Sequence, residues 1–409
     1  AMQKRDGELM FLGVVAIADP IREDVAQAIE TCTRHAKVRV IIVTGDNRDT
    51  AAEIGRQIGL LDTEGERQHL DGPQWAAMTD EELLEWLPTL KILSRAKPED
   101  KARLVTLLQR MGEVVAVTGD GTNDALALSK AQVGISMGSG TARAKEASDI
   151  TIIDNSFASI NNAILWGRSL YLNIKRFIVF QMTINVSACL IVLVGAFLGL
   201  DSPLTVTQML WVNLIMDTFA AMALSSLPAD RKVLYDKPRD PHSHIINRKM
   251  LARITGTGAV FFILLTGLWQ ILSHAEISSV KDILHFAGLP QSKIHLSGYE
   301  SGIFFSIFVL LQFWNLFNAK YFRTDRSLTL DIIDLFRNPK KVKESFSAGF
   351  IWISLVIVLG QILIVTFAGP LFNVSPLSVD DWLLILLITS PILLVADAVR
   401  TIIAVVKKK

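Results

Sequence analysis

Past Trp166 the chain carries six apolar runs, at roughly 176–199, 205–227, 251–273, 301–321, 348–369 and 382–406. Each is long enough to cross a bilayer, for which about 20 apolar residues suffice. In hydrocarbon no water is available to the backbone, so such runs can only be helices that satisfy their own N–H and C=O groups. The gaps between them decide orientation. Arg231, Lys232, Lys237, Arg239, Arg248 and Lys249 lie between the second and third runs, and Lys320, Arg323, Arg326, Arg337, Lys340, Lys341 and Lys343 between the fourth and fifth. The chain ends Lys407-Lys408-Lys409. An even number of spans with this Lys/Arg bias predicts that both ends, and the polar region before the first span, lie in the cytosol.

That polar region holds most of the charge. With 41 basic and 40 acidic residues the chain has no basic excess of the kind that binds nucleic acid, and no nucleic-acid partner is expected. Two cysteines, Cys32 and Cys189, provide neither a disulfide framework nor metal-ligand spacing. Residues Ala1 to Asp6 lack the apolar core of a signal peptide. The expected organisation is a soluble domain over 1–160 joined to a six-helix membrane domain over 161–409, with membrane lipid as a partner.

Within the soluble part, β-rich and helical patterns alternate. Strands are predicted at Leu9–Ala18, Val38–Val43, 91–94, 114–117, Gly134–Met137 and Ile150–Ile153. Helices are predicted at about 23–36, Thr50–Gly59 and Glu99–Met111, where Pro98 suits a first turn, with a further helical pattern in the polar stretch 62–90. Such alternation implies a parallel, doubly wound sheet.

Two strand ends carry chemistry. Val114–Val117 leads into Thr118-Gly119-Asp120-Gly121-Thr122-Asn123-Asp124-Ala125, where two glycines permit a tight turn and three oxygen-bearing side chains crowd together. Such a cluster at the carboxyl end of a parallel strand can hold a hard cation beside a phosphoryl group. Thr44-Gly45-Asp46 ends another strand, where the Thr44 hydroxyl and Gly45 amide can meet a phosphate oxygen. Lys101, in preference to Lys97, supplies a positive charge near a helix start, and Asp120 and Asp124 are the metal candidates. No strand ends in Asp-Lys-Thr-Gly-Thr, and Asp19, followed by Pro20, suits a hinge better than a nucleophile. The sheet therefore also lacks its central first strand.

Polar residues inside the spans are the other candidates, because lipid makes them costly. Gln181 and Asn185 lie in the first span. Asn213 and Asp217 lie four apart in the second, on one face of a regular helix. Gln312, Asn315 and Asn318 follow at intervals of three in the fourth, and Asp397 lies in the last. Oxygen ligands facing a bundle interior suit a hard cation. Interhelical hydrogen bonding is the preferred role of Asn315, Asn318 and Gln361, and is an even alternative for Gln312.

Together the octet, Thr44-Gly45-Asp46, Lys101 and six trailing spans resemble the carboxyl-terminal half of a P-type cation-transporting ATPase. Gly138-Ser139-Gly140-Thr141 and Ala144-Lys145-Glu146-Ala147-Ser148-Asp149 follow that family's pattern as well. The resemblance implies an α/β, haloacid-dehalogenase-like (Rossmann-type) phosphorylation domain, incomplete here, on an all-α bundle of six transmembrane helices (spans five to ten of the family). It implies Mg2+ on Asp120 and Asp124, with Asn123 beside them, and Lys101, Thr44 and Gly45 at an aspartyl phosphate. Asp19 and Asp46 match positions near the ATP nucleotide and hinge.

Leu210-Trp211-Val212-Asn213-Leu214-Ile215-Met216-Asp217 looks like the sixth span of calcium pumps, closest to the plasma-membrane type. By that likeness Asn185, Asn213, Asp217 and, least certainly, Gln312 match Ca2+ ligands. Ala188 and Gln312 stand where the reticulum-type pump has glutamates, so one Ca2+ per cycle is expected. The resemblance leaves an amino-terminal half outside the chain: four spans, the actuator and nucleotide domains and the phosphorylated aspartate. The chain alone is expected not to hydrolyse ATP. A short tail without a calmodulin-binding extension fits a prokaryotic pump in a plasma (inner) membrane. The alternatives are a pump for Mn2+ or H+, and a non-catalytic membrane regulator with a degenerate phosphatase-like domain.

Overall fold

The computed structural model describes residues 21–61, 67–198, 201–275, 277–285, 293, 295–324, 326–337 and 347–406. The Leu9–Ala18 strand, Asp19 and the terminal lysines lie outside the described residues. The chain divides into two compact units. One comprises the described residues up to Leu165 with Lys232–Pro241, the other Trp166–Arg231 with His242 onward.

The first unit is an α/β fold. Its strands are β1 (Ile42–Val43), β2 (His69–Asp71), β3 (Ile92–Ser94), β4 (Ala116–Gly119), β5 (Val133–Met137) and β6 (Ile150–Ile152). Its helices are α1 (Glu23–Glu30), α2 (Arg48–Gln57), α3 (Gly72–Ala77), α4 (Asp80–Trp86), α5 (Pro98–Arg110), α6 (Ala125–Lys130) and α7 (Ala142–Glu146). All strand pairs are parallel, in two three-stranded sheets ordered β1-β3-β2 and β4-β5-β6. β1 and β4 are thus edge strands among the described residues, and Ala116 and Thr118 of β4 are exposed. The polar stretch read as helical also contains β2, which three residues are too few to announce by alternation.

One apolar core unites the two sheets. Leu104, Val105 and Leu108 on one face of α5 pack with Leu70 and Leu93 of the first sheet, and with Val115 and Ala127 beside the second. Helix starts are sharply set by their caps: Asn47 accepts from the Thr50 amide, Asp71 and Gln74 form a capping box, and so do Thr79 and Glu82.

Among the described residues six helices are long and apolar enough to cross a membrane, all of them lying mainly in the second unit. The first, Ala158–Leu198, has 41 residues and so extends about 60 Å. Its opening turns belong to the first unit, where Ile160 packs with Ile135 and Ile152, and the Asn161 amide donates to Ala28 O at 2.8 Å. The second span changes pitch: Val206–Leu210 is α, Trp211–Met216 is a π turn, and Asp217–Ser225 is α again. The third is Arg248–His274, the fourth Gly298–Lys320 and the fifth Ala348–Phe367. The sixth is interrupted between Val379–Thr389 and Pro391–Val406, since Pro391 has no N–H for the helix ladder. Glu300 to Phe313 of the fourth span are buried without a break, which makes that helix the centre of the bundle.

Candidate functional site

In the first unit the candidate residues occupy two loops. After β1, the Thr44 hydroxyl donates to Asp46 Oδ2 at 2.7 Å and accepts from the Asp46 amide at 3.1 Å, so it is engaged by its own turn. The loop after β3 closes over this turn, with the Arg95 and Ala96 amides donating to Asp46 O and Thr44 O, both at 2.9 Å. Arg95 is held there at φ +49°, left-handed backbone that a residue with a side chain seldom adopts. Gly45 is exposed, and a Cβ there would meet nothing within 4 Å, so its amide is open to a ligand.

The octet forms a turn around Asp124. Asp124 Oδ1 takes Lys101 Nζ at 2.6 Å, while Oδ2 accepts from the Asp120 and Gly121 amides at 3.2 Å each. Gly119 is required by this fold: a Cβ there would lie 2.4 Å from Asp124 Cβ. From the other side the Thr141 amide donates to Asp120 O at 2.8 Å, and a Cβ at Gly140 would lie 2.9 Å from Met137 O and 3.1 Å from Asp120 O. The structure therefore brings Lys101 and Asp124 together. Asp124, expected on a cation, is occupied by an ammonium and two amides.

Asp120 and Asn123 are exposed at the tip, and the Asp120 carboxylate has no hydrogen-bond or ion-pair partner among the described residues. Nor do three or more His, Cys, Asp or Glu side chains gather anywhere among those residues. A lone exposed carboxylate on a rigid loop suits Mg2+, which binds through one or two carboxylates and completes its octahedron with water and phosphate oxygens. Its chemistry would be to neutralise charge on a transferring phosphoryl group. An exposed carboxylate and a lysine fixed by Asp124 make a polar surface that a phosphate can meet.

In the second unit, Asp217 is 3% exposed and neither carboxylate oxygen completes a hydrogen bond, although the Gln181 amide of the first span approaches it. Gln181, four residues from Asn185 and so on its face, is the group that sequence reading placed in the span but did not pair with Asp217. Gln312 is fully buried with both amide atoms unpartnered. Buried polar atoms are nearly always paired, so these mark a place for a polar guest. Asn185 is half-buried.

Asn213 lies in the π turn and is exposed, whereas Val212, Met216 and Asp217 are buried. One expectation is corrected here. Asp397 does not face a cation site. It accepts from the Leu328 amide at 2.6 Å and from the Thr329 amide and hydroxyl at 2.9 and 2.6 Å, capping the helix Leu328–Arg337.

The bonding roles expected for two amides hold. Gln361 accepts from Trp211 Nε1 at 3.0 Å, fastening the π turn to the fifth span, and Gly360 leaves room for the Trp211 ring. Asn318 donates to Ile392 O at 3.1 Å and accepts from Arg400. The Asn315 amide nitrogen finds no partner.

Two family models match the chain. Residues 201–402 match the family model "Cation transporting ATPase, C-terminus", and residues 3–132 match that of haloacid dehalogenase-like hydrolases. The chain is 40% identical over 383 residues to Calcium-transporting ATPase 2 of Schizosaccharomyces pombe, covering 92% of this chain and 27% of that protein. It is 36% identical over 404 residues to the plasma membrane-type Calcium-transporting ATPase 4 of Arabidopsis thaliana (97% and 36%). It is 38% identical over 395 residues to Plasma membrane calcium-transporting ATPase 3 of Rattus norvegicus (92% and 30%). The chain thus spans about a third of the length of the curated relatives it matches.

Proposed function

The chain belongs to the cation-transporting ATPases, and from that premise we propose that it is the carboxyl-terminal part of an ATP-driven calcium pump that works through an aspartyl phosphate. The observation that carries this reading is Asp217: a carboxylate inside a membrane span, buried and completing no hydrogen bond. Such a residue needs a cation, a proton or a basic partner.

In this reading Asp217, with Asn185, Asn213 and Gln312, forms the chain's share of the Ca2+ site. Asn213 is turned outward, where a span contributed by the rest of the protein can meet it. With Asp217 the one carboxylate among these ligands, a single Ca2+ per cycle follows. In the soluble domain Asp120 holds Mg2+, Asn123 and Gly45 face the phosphate, and Asp124 fixes Lys101 toward it. Thr44 and Asp46 shape the turn after β1, and Asp19 is assigned to the nucleotide by resemblance alone. The phosphorylated aspartate comes from the amino-terminal half, on a strand that the open edges of β1 and β4 can receive. The proposed domains are a phosphorylation domain over 1–160 and a membrane domain over 161–409, with the soluble domain cytosolic.

ATP-driven ion uptake by vesicles carrying the full-length protein tests this. The expected result is uptake of Ca2+ in preference to Mn2+, one ion per ATP, lost in Asp217→Asn. Uptake unaffected by that change removes the site, and a ratio of two removes the single-ion reading.

A further inference from the structure

The helix Leu328–Arg337, between the fourth and fifth spans, is laid out the wrong way round for water. Its acid side is turned inward. Asp331 is buried, takes Arg326 Nε on Oδ1 at 2.7 Å and accepts from the Tyr321 hydroxyl on Oδ2 at 2.8 Å. Lys320, the last residue of the fourth span, stands 3.7 Å from that same Oδ2. Asp334 takes the other end of the Arg326 guanidinium at 2.6 Å. On the side away from Asp331, Ile332, Ile333 and Phe336 form one stripe, and all three are exposed, Phe336 at 83%. A helix on the surface of a water-soluble domain carries the reverse pattern, with its apolar stripe toward the core and its charges outward.

The start of this helix is fixed to the sixth span at a definite level. The Leu328 and Thr329 amides donate to Asp397 at 2.6 and 2.9 Å, and the Ser327 and Thr401 hydroxyls meet at 2.7 Å. Asp397 and Thr401 precede Val406, where the sixth span's helix ends, by nine and five residues. At 1.5 Å per residue these junctions sit about 13 and 8 Å short of that end. The helix is therefore carried beside a membrane-crossing segment and starts short of its end. An amphipathic helix lying in a membrane surface sinks its apolar face about 5–10 Å into the boundary between headgroups and acyl chains, the same range of levels. At this level the sixth span exposes Val399, Ile402 and Val406, apolar surface of the kind a span turns to lipid. Arg337, exposed in the last turn, complements the helix dipole there and can extend its charge toward headgroups.

We propose that Leu328–Arg337 is an interfacial helix, with Ile332, Ile333 and Phe336 sunk among the upper acyl-chain carbons of the leaflet at this end of the bundle. Asp397 and the Arg326 pairs hold its polar side against the protein, so the stripe faces lipid. The fit is to the acyl boundary of any fluid bilayer and calls for no particular headgroup.

The test is fluorescence quenching in the full-length protein, with the exposed Cys189 and any other accessible cysteine replaced by serine. Phe336→Cys carries a bimane label, and the protein is reconstituted in phosphatidylcholine vesicles. Phosphatidylcholine bearing a doxyl group near the top of its acyl chain should remove most of the emission, a doxyl group near the chain end less, and aqueous iodide almost none. Leu394→Cys, at an exposed position deeper in the sixth span, should respond more to the deep doxyl group. Glu85→Cys, exposed on α4, should respond to iodide alone. Ile333→Cys leaves Phe336 in place and should repeat the Phe336 result. Iodide quenching at Phe336 and Ile333 equal to that at Glu85 would put the helix in water and overturn the proposal. Quenching by neither agent would mean that protein covers the stripe, whether a second copy or the rest of the chain, and would overturn it too.

Discussion

Lys101 and Asp124 are 23 residues apart, on α5 and at the start of α6, and they meet at 2.6 Å with both side chains largely buried. The pair ties the helix that spans both sheets to the turn that carries Asp120. It makes Asp124 a positioning residue for the loop as well as for the lysine.

Removing one partner leaves the other charge half-desolvated. Lys101→Gln is expected to cost about 1–3 kcal/mol of stability, and the double change Lys101→Gln, Asp124→Asn to cost less than the sum of the two single changes. Denaturant titration of the four proteins gives the coupling. Additive losses would mean that the pair contributes nothing beyond its separate members.

Gly119→Ala introduces a methyl group into the space of Asp124. The backbone must shift to admit it, at an expected cost of about 1–3 kcal/mol. Gly45→Ala, with nothing within 4 Å of the added carbon, should melt within a degree or two of the parent. Thermal unfolding of both variants checks the contrast.

His69 makes the first unit sensitive to acid. Its ring meets Ser94 Oγ at 2.9 Å, and burial first, with Arg48 second, holds its pKa below the ordinary 6.5. Above that value the ring is neutral both folded and unfolded, and contributes no pH dependence. Below it the unfolded chain takes up a proton that the folded chain resists, so stability falls as pH drops. Melting temperatures between pH 5 and 8 should show this slope, and His69→Gln should flatten it.

Asp217 carries the opposite kind of burden, a buried carboxylate that completes no hydrogen bond although the Gln181 amide approaches it. Asp217→Asn should raise stability in Ca2+-free detergent by about 1–3 kcal/mol, because an amide is less costly to bury than an unpaired charge. A lower unfolding midpoint would show that a donor holds the carboxylate.

The Trp211–Gln361 bond secures the π turn to the fifth span. Gln361→Leu leaves the indole N–H unsatisfied and should cost about 0.6–1.7 kcal/mol, the range for hydrogen bonds between membrane helices. Unfolding in detergent measures this, and no loss would show the N–H finding another acceptor.

Sequence alone determined the features that depend on composition and period. Six apolar runs had to become helices because hydrocarbon offers the backbone no other partner. Alternating strand and helix patterns led to parallel strands, and Pro98 marked the start of α5 correctly. The crowding of glycines and carboxylates in 118–125 marked a tight polar turn after β4 without any structure. Tertiary structure decided which groups each polar side chain meets. Asp124 is engaged by a lysine far away in sequence, and Asp397 is spent on capping a helix from another segment. A periodicity rule extends along one regular element, whereas hydrogen-bond partners and changes of helical pitch are set by what packs against it.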